Sequence, residues 1–458
     1  MRIVVCVKQV GGEINPFDAA ALEYALCLPD AEIILLSMGP EKTADMLLEL
    51  TRLGARQAIL LCDPAFAGSD TLATAYALSL AIKRLEPQLI FCGRQSVDGD
   101  TAQVGPCLAT MLGMQYVTNV MEIKQLETNR LLCRTRQGEE SAAIPALLTF
   151  ERVKNLRFPS IRSTPGKVTR MTAAELLADP GRIGLVGSPT RVLRSFESSR
   201  GQRKCTFVPM SELKGLIRES LQKPDAFVPA EISAQKLKRV LAVGEAVGAV
   251  AAGISDDVTV LPPDSAENLA RKIREQNPAA VLWPADLWGR ATAPAVQAML
   301  NTGLCADCTH LETDGEELFM YRPASGGKIT AKIVCTTRPA MATVRLREES
   351  AAFTVGFGRG AAGNLAALRE MAKENHADCA ASRALVDMGL APYEEQVGQT
   401  GRMLSSKLYL AIGISGAIQH VCGFEGARTV IAVNPDPKAE IFRYCDYGVI
   451  DRCENCAF

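Results

Sequence analysis

The feature that most constrains this chain is a set of landmarks that occurs twice in the same order. The run Leu89-Ile-Phe-Cys-Gly93 leads through a Gly/Asp turn to Pro106-Cys-Leu-Ala-Thr-Met-Leu112, and Ala280-Val-Leu-Trp-Pro284 leads through a Gly turn to Pro294-Ala-Val-Gln-Ala-Met-Leu300. Each copy then reaches a similar run, Pro145-Ala-Leu-Leu-Thr149 in the first and Pro339-Ala-Met-Ala-Thr343 in the second. The two landmark pairs lie 188 and 194 residues apart. Self-similarity over such a distance predicts two related domains packed as a pseudo-dimer. Within the first copy, β-branched and apolar runs at 3–7, 33–38, 58–62 and 89–93 alternate with longer helical patterns, the signature of a parallel sheet with helical crossovers. The expected fold class is therefore α/β.

At 458 residues the chain exceeds what one core holds. A formal charge of −1, with 22% charged and 48% hydrophobic residues, is that of a folded protein without a polyanionic partner, so nucleic acid is not expected. The opening MRIVVCVKQV has no secretion-signal core, and the longest apolar stretch, Leu408 to Ile418, is broken by Gly413, Ser415 and Gly416. The expectation is a cytoplasmic protein with no stable membrane insertion. Most of the fifteen cysteines sit singly in apolar runs and read as buried small hydrophobes. Cys453 and Cys456 form a C-x-x-C but lack the second pair or histidine of a metal centre, so no metal is expected.

Residues 153–205 carry Pro159, Pro165 and Pro189 with little periodicity and read as an exposed excursion. A helical pattern over 210–221 precedes a Pro-containing linker near 225–237. The domains predicted are 1–228, 236–348 and 351–458. In the last, strands at 353–357, 407–414 and 428–433 each end in a polar or glycine-rich loop, where parallel open sheets bind ligands.

Gly358-Arg-Gly360-Ala-Ala-Gly363 matches G-x-G-x-x-G after a strand, with Asp378 about twenty residues on. Alone this is weak, because glycines in a tight strand-to-helix turn give the same string. Gln396-Val-Gly-Gln399-Thr400-Gly401 follows, a loop of amides, a hydroxyl and glycines suited to the edge of a heteroaromatic ring. Ser415-Gly416 is expected to open a helix directly after a strand, presenting a hydroxyl and unpaired backbone N–H groups, with His420 further in. Asn434-Pro-Asp436 ends the next strand and Asp446-Tyr-Gly448 follows another.

The stretch from Ser382-Arg-Ala-Leu-Val-Asp387 through Tyr393-Glu-Glu-Gln-Val-Gly-Gln-Thr-Gly401 and Leu410-Ala-Ile-Gly-Ile-Ser-Gly416 to Asp446-Tyr-Gly-Val449 resembles the flavin domain of the electron transfer flavoprotein alpha subunit. Ile14-Asn-Pro-Phe-Asp18, residues 66–78 and residues 92–106 are similar to the beta subunit, and residues 303–308 and 341–345 to the first alpha domain. The resemblance covers nearly the whole chain, in the order beta then alpha. It implies two related adenine-nucleotide-type α/β domains about a pseudo-twofold axis, plus a C-terminal doubly wound FAD-binding domain.

It also implies site residues. Arg359 and Ser382 would contact FAD, Arg383 would lie over its ring, and Gln396, Gln399, Thr400 and Gly401 would border the ring edge. Ser415, Gly416, Gln419 and His420 would hold the O2 side and the phosphates, and Asn434 and Asp446 the adenosine half. Arg383, Thr400 and His420 are the residues expected to tune the redox chemistry. A guanidinium near 4 Å from a reduced flavin would favour its anionic form by up to roughly 4 kcal/mol at an effective dielectric of 20. The beta-like half would hold AMP or a second FAD against Asp98, Gly99, Asp100, Thr101, Gln103 and Val104, and Gly99 with Ala102 and Val104 resembles the electron-bifurcating type.

The implied activity is carriage of electrons on FAD between redox proteins. An acyl-CoA dehydrogenase-type flavoenzyme of fatty acid oxidation would be one partner, docked by a loop at 185–200; in the bifurcating alternative NADH and a ferredoxin or flavodoxin enter. A non-redox nucleotide-binding module is the third reading. Departures from the family pattern include Ala380, a missing opening strand and helix before Arg239, and a shortened helix after Gly363.

Overall fold

The computed structural model describes residues 1–152, 154–197, 202–222, 235–324, 329–346, 351–398 and 401–458. It forms two compact units. The first contains Met1–Ser195 with the described parts of Glu231–Ser325 and Ala331–Val344, and the second the described parts of Phe196–Ala230 and Arg345–Phe458 with its share of 326–330.

The repeat is realised in the first unit as two sheets of one topology. In the larger sheet Glu32–Met38, Arg2–Cys6, Leu89–Gly93, Ala146–Phe150 and Gln115–Leu126 lie side by side, all parallel. In the smaller sheet Val258–Leu261, Val240–Val243, Ala280–Pro284, Ala340–Val344 and Leu304–Cys308 take the same order, again all parallel. The correspondence extends to single residues. Asn119 and Asp307 both adopt positive φ, 56° and 59°, where the strand register slips. The backbone N–H of Asn119 donates to the Thr149 hydroxyl at 3.2 Å, and that of Asp307 to the Thr343 hydroxyl at 2.8 Å. An Asx side chain tolerates the left-handed region, which is why this residue type stands at both bulges. The helices Val104–Leu112 and Leu287–Leu300 face each other: the Cys107 thiol lies 3.1 Å from Pro294 O, and the Tyr116 hydroxyl donates to Ala291 O at 3.1 Å.

The strand Val240–Val243 takes the place of Arg2–Cys6 in the smaller sheet, and the helix after Gly363 is Leu365–Glu374, ten residues. Two expectations change here. The excursion over 153–205 is partly sheet, since Lys167–Met171 pairs parallel with Gln57–Leu61. Residues Thr190–Glu197 are the exposed edge strand of a four-stranded sheet rather than a loop; 198–200 lie outside the described residues. The linker at 225–237 lies mostly outside them as well.

The second unit is a six-stranded parallel sheet in the order Thr206–Phe207, Tyr447–Val449, Thr429–Val433, Leu408–Ile412, Phe353–Phe357, Asp378–Ala381. Alternate residues supply its two faces. Leu408, Leu410 and Ile412 pack with Leu365 and Leu368 of one helix and Leu213 and Ile217 of another, while Tyr409 and Ala411 pack with Val421 and Phe424 on the other side. Apart from the strand Thr206–Phe207, the order is that of a doubly wound sheet that reverses direction between Phe353–Phe357 and Leu408–Ile412. Such switch points open a crevice at the carboxyl ends of the two strands.

Cys453 and Cys456 are buried, and burial pushes both thiols up. A second C-x-x-C, Cys305 to Cys308, escapes the sequence reading; both thiols are buried in the strand Leu304–Cys308. Among the described residues no cluster of His, Cys, Asp or Glu is arranged to hold a metal ion, and no helix is long and apolar enough to cross a membrane.

Candidate functional site

At the switch point the two strand ends nearly touch. A Cβ on Gly358 would sit 2.1 Å from Gly413 O, and one on Gly413 would meet Ala361 N at 2.6 Å. Gly413 and Gly416 both have positive φ, 65° and 92°. Side chains are thus excluded from the crevice floor by backbone contact, which leaves main-chain atoms as its surface.

Around that floor the carboxyl ends of the parallel strands deliver the expected residues. Arg359 follows Phe353–Phe357 and is exposed; Ser382 and Arg383 follow Asp378–Ala381; Ser415 and Gly416 follow Leu408–Ile412; Asn434 follows Thr429–Val433. Asn434 is buried and donates from Nδ2 to Ile414 O at 2.9 Å, so it braces the Ser415 loop. Ser415 lies outside the helix, which starts at Ile418 and is one turn later than the sequence suggested; the Ser415 hydroxyl is on an exposed residue. Gln419 is exposed and Gln396 is buried. Gly401 must be small, since a Cβ there would lie 2.0 Å from Gln396 O. Gln399 and Thr400 lie outside the described residues.

His420 is placed differently from expectation. Its Nδ1 lies 3.0 Å from Val397 O, and its Nε2 lies 2.9 Å from the Tyr409 hydroxyl. A carbonyl can only accept, so Nδ1 carries the proton and Nε2 accepts from Tyr409. Burial pulls the imidazole down to about 4, so it is neutral at pH 7. His420 therefore braces the loop that begins at Gln396 through Val397. Arg383 pairs with Asp387 at 3.3 Å across one helical turn, with both side chains substantially exposed, an ion pair of little strength.

Asp378, the acid at the fingerprint distance, is taken by Arg402 at 2.7 Å. Asp446 is not brought together with the others. It precedes Tyr447–Val449, so it sits at the amino ends of the strands, where its carboxylate accepts from Val430 N at 2.8 Å and from Arg203 Nη1 at 2.6 Å. The acid that this strand presents at its carboxyl end is Asp451, which sequence reasoning missed although strand direction in a parallel sheet would have singled it out.

The residues fit a flavin nucleotide. The Ser382 hydroxyl is buried with no hydrogen-bond partner among the described residues, at the carboxyl end of the strand next to Phe353–Phe357. A buried hydroxyl left unpaired costs on the order of 1–3 kcal/mol, which an acceptor on a bound ligand recovers.

In the first unit a cavity of about 740 Å³ lies at the carboxyl ends of Arg2–Cys6, Glu32–Met38, Gln57–Leu61 and Leu89–Gly93. Gly99, Thr101, Gln103 and Val104 line it, as does Ala102; Asp98 and Asp100 do not. Asp98 instead pairs with Lys8 at 2.7 Å, and Asp100 accepts from Gln95 Nε2 at 3.0 Å. Gly99 has no backbone need of glycine; the left-handed positions are Asp100 and Ala102, φ 52° and 56°. Gln103 is used at both ends, accepting from Thr71 Oγ1 at 2.7 Å and donating to Leu304 O at 3.2 Å. The wall also holds Asp18, whose two oxygens accept from Lys8 N at 2.7 Å and Gly93 N at 3.0 Å, clasping two strand ends together. Burial pushes that carboxyl up to about 7 against the pull of these donors. The N-termini of two helices, Thr71–Leu85 and Val104–Leu112, point at the same space. Asp70 caps the first by accepting from Leu72 N and Ala73 N, so the second is the one left for a ligand anion.

Two related α/β domains with a nucleotide-sized cavity, and a doubly wound domain with a crevice at its switch point, define a protein of the parallel-sheet, nucleotide-binding class. The comparisons specify it. The electron transfer flavoprotein domain model matches twice, over residues 3–155 and 221–373, and the electron transfer flavoprotein FAD-binding domain matches over 345–425. The chain belongs to the electron transfer flavoprotein family, with beta-like and alpha-like parts joined in one polypeptide. It is 41% identical to the electron transfer flavoprotein subunit beta of Megasphaera elsdenii, over 43% of this chain and 87% of that protein. It is 35% identical to the caffeyl-CoA reductase-Etf complex subunit CarD of Acetobacterium woodii, over 49% of this chain and 98% of that subunit. With the alpha subunit of Thermoanaerobacterium thermosaccharolyticum it shares 34% identity, over 40% of this chain and 70% of that subunit. The chain is an electron transfer flavoprotein that carries electrons between redox proteins, and its C-terminal domain is of the FAD-binding kind.

Proposed function

We propose that this carrier holds two FAD molecules, one in the 351–458 domain and one in the cavity of the 1–228 domain, with 236–348 as the second member of the related pair. The observation that carries the second FAD is the size of the cavity. At about 740 Å³ it stands in the upper part of the range of ligand pockets, roughly 300–1,000 Å³, more space than a mononucleotide would fill. Gly99 and Ala102 line it without bulk. The relative that belongs to a caffeyl-CoA reductase complex supports a partner of the acyl-CoA dehydrogenase type. On this reading NADH reduces the FAD of the first unit, and electrons divide between that flavoenzyme and a ferredoxin or flavodoxin in the cytoplasm. Extraction of purified chain is expected to yield about two FAD and no AMP, and NADH alone is expected to bleach part of the flavin absorbance. One FAD with one AMP, and no response to NADH, would refute the second FAD and leave the single-flavin carrier standing.

In the C-terminal domain we assign Arg359, Ser382, Arg383, Gln396, Gln399, Thr400, Gly401, Ser415, Gly416 and Gln419 to the flavin and its phosphates. His420 and Asn434 act as braces. The adenosine end falls to Asp451 in place of Asp446. Asp451→Asn is expected to weaken FAD retention, whereas Asp446→Asn should leave FAD affinity unchanged and loosen the segment that carries Arg203. Equilibrium dialysis against FAD separates the two, and the reverse ranking sinks the reassignment.

The partner surface is sought at two places: Phe158 and Ile161, 94% and 99% exposed beside Arg162, and the segment with Leu185, Val186, Val192 and Leu193, all exposed. Single exposed apolar residues are ordinary, but several close together in the chain form an anchor for an apolar pocket.

A further inference from the structure

We propose that Cys205 and Cys445 are an oxidisable pair whose disulfide fastens residues 202–222 to the C-terminal sheet. The two sulfurs lie 3.5 Å apart although 240 residues separate them in the chain. Cys205 is half-buried and Cys445 is buried, so one sulfur is open to a small oxidant and the other waits behind it.

Their surroundings hold both sulfurs in register. Thr206 N donates to Asp446 O and Val208 N to Gly448 O, each at 2.9 Å, which makes Thr206–Phe207 an added strand beside Tyr447–Val449. Arg203 N donates to Arg443 O at 2.9 Å, and its guanidinium reaches Arg428 O at 2.9 Å and the Asp446 carboxylate at 2.6 Å. Further along, Leu213 and Ile217 are buried among Phe353, Leu408 and Leu410. A strand of two residues is a weak attachment by itself, because an isolated edge pairing offers few hydrogen bonds to resist opening. A covalent link at its start would prevent the segment from peeling away at that edge.

The oxidant is a hydroperoxide. The Cys205 sulfur, as thiolate, attacks one peroxide oxygen; the O–O bond breaks, water leaves with the thiol's proton, and Cys205 becomes a sulfenic acid. The Cys445 sulfur then attacks the Cys205 sulfur, the S–O bond breaks, and the second oxygen leaves as water with the Cys445 proton. Two thiols are oxidised by two electrons and hydrogen peroxide is reduced to two waters. Burial holds both thiols above the ordinary cysteine range, so the first step is slow at neutral pH and speeds up as the solution becomes alkaline.

The test uses the folded full chain treated with hydrogen peroxide at neutral and at alkaline pH, then digested with trypsin without reduction. Cleavage after Lys204, Lys214, Arg443 and Arg452 releases peptides 205–214 and 444–452. They are expected as one linked species, two hydrogen atoms lighter than their sum, that forms faster at alkaline pH and is lost in Cys205→Ser and in Cys445→Ser. Hydrogen exchange over 206–208 is expected to slow on oxidation in the native chain and not in Cys205→Ser. Recovery of the two peptides unlinked, with Cys205 carried on to sulfinic acid, would overturn the pairing; a linked peptide with unchanged exchange would overturn the fastening.

Discussion

Gly413→Ala is expected to yield a protein that no longer retains flavin. The residue sits at φ 65°, and a Cβ there would stand 2.6 Å from Ala361 N and 2.7 Å from Gly360 C, all backbone. Left-handed strain costs an alanine on the order of 1 kcal/mol, and backbone atoms cannot rotate away as a flexible side chain would. One of the two loops at the switch point must move, so the crevice floor opens and the total cost reaches about 3 kcal/mol or more. Gly363→Ala is the control. It is the last glycine of the G-x-G-x-x-G string, yet nothing lies within 4 Å of its added Cβ and its φ is not left-handed. Absorbance at the flavin band after gel filtration should be lost in the first variant and kept in the second. Equal retention in both would mean that the close approach of the two strand ends is dispensable.

That contrast also says what the glycine string encodes. Gly358 and Gly360 pack against Gly413, a residue more than fifty positions away, so their requirement is set by contact between two loops. The sequence displays the glycines but not which of them touch.

The repeat was legible because it depends on short-range residue types at fixed offsets: an apolar strand run, a proline in the helix that follows, and a strand that opens on proline and reaches a threonine. The Asx residue at each bulge and the shared strand order became visible only in the structure. What was hidden depends on direction and on distant partners. Acids flank the short strand Tyr447–Val449 on both sides, and only its parallel direction decides that Asp451 follows its carboxyl end while Asp446 precedes its amino end. Asp446 is in turn claimed by Arg203, and Asp378 by Arg402, pairings that no local pattern announces. His420 stood out in the sequence, but its hydrogen-bond partners did not, since Tyr409 and Val397 are distant from it in the chain.

The role of His420 is open to a pH experiment whose sign is fixed. Burial lowers its folded-state value to about 4 from the ordinary 6.5, so between those values the unfolded chain binds a proton that the folded chain refuses. Stability from this group is therefore fully present above pH 6.5 and is lost as pH falls toward 4. A difference of this size corresponds to at most about 3 kcal/mol, at about 1.4 kcal/mol for each pH unit. In urea titrations followed by flavin release, the midpoint should drop between neutral and about pH 4.5 by more than carboxylate titration elsewhere produces. His420→Asn keeps an N–H for Val397 O but has no titration in this window, so its midpoint should start lower at neutral pH, because the Tyr409 hydroxyl loses its acceptor, and should then fall less steeply. A merely space-filling histidine would lower the midpoint on substitution without changing the pH slope. Parallel slopes for the two proteins would therefore rule out the neutral, doubly bonded imidazole as the brace of the loop that begins at Gln396.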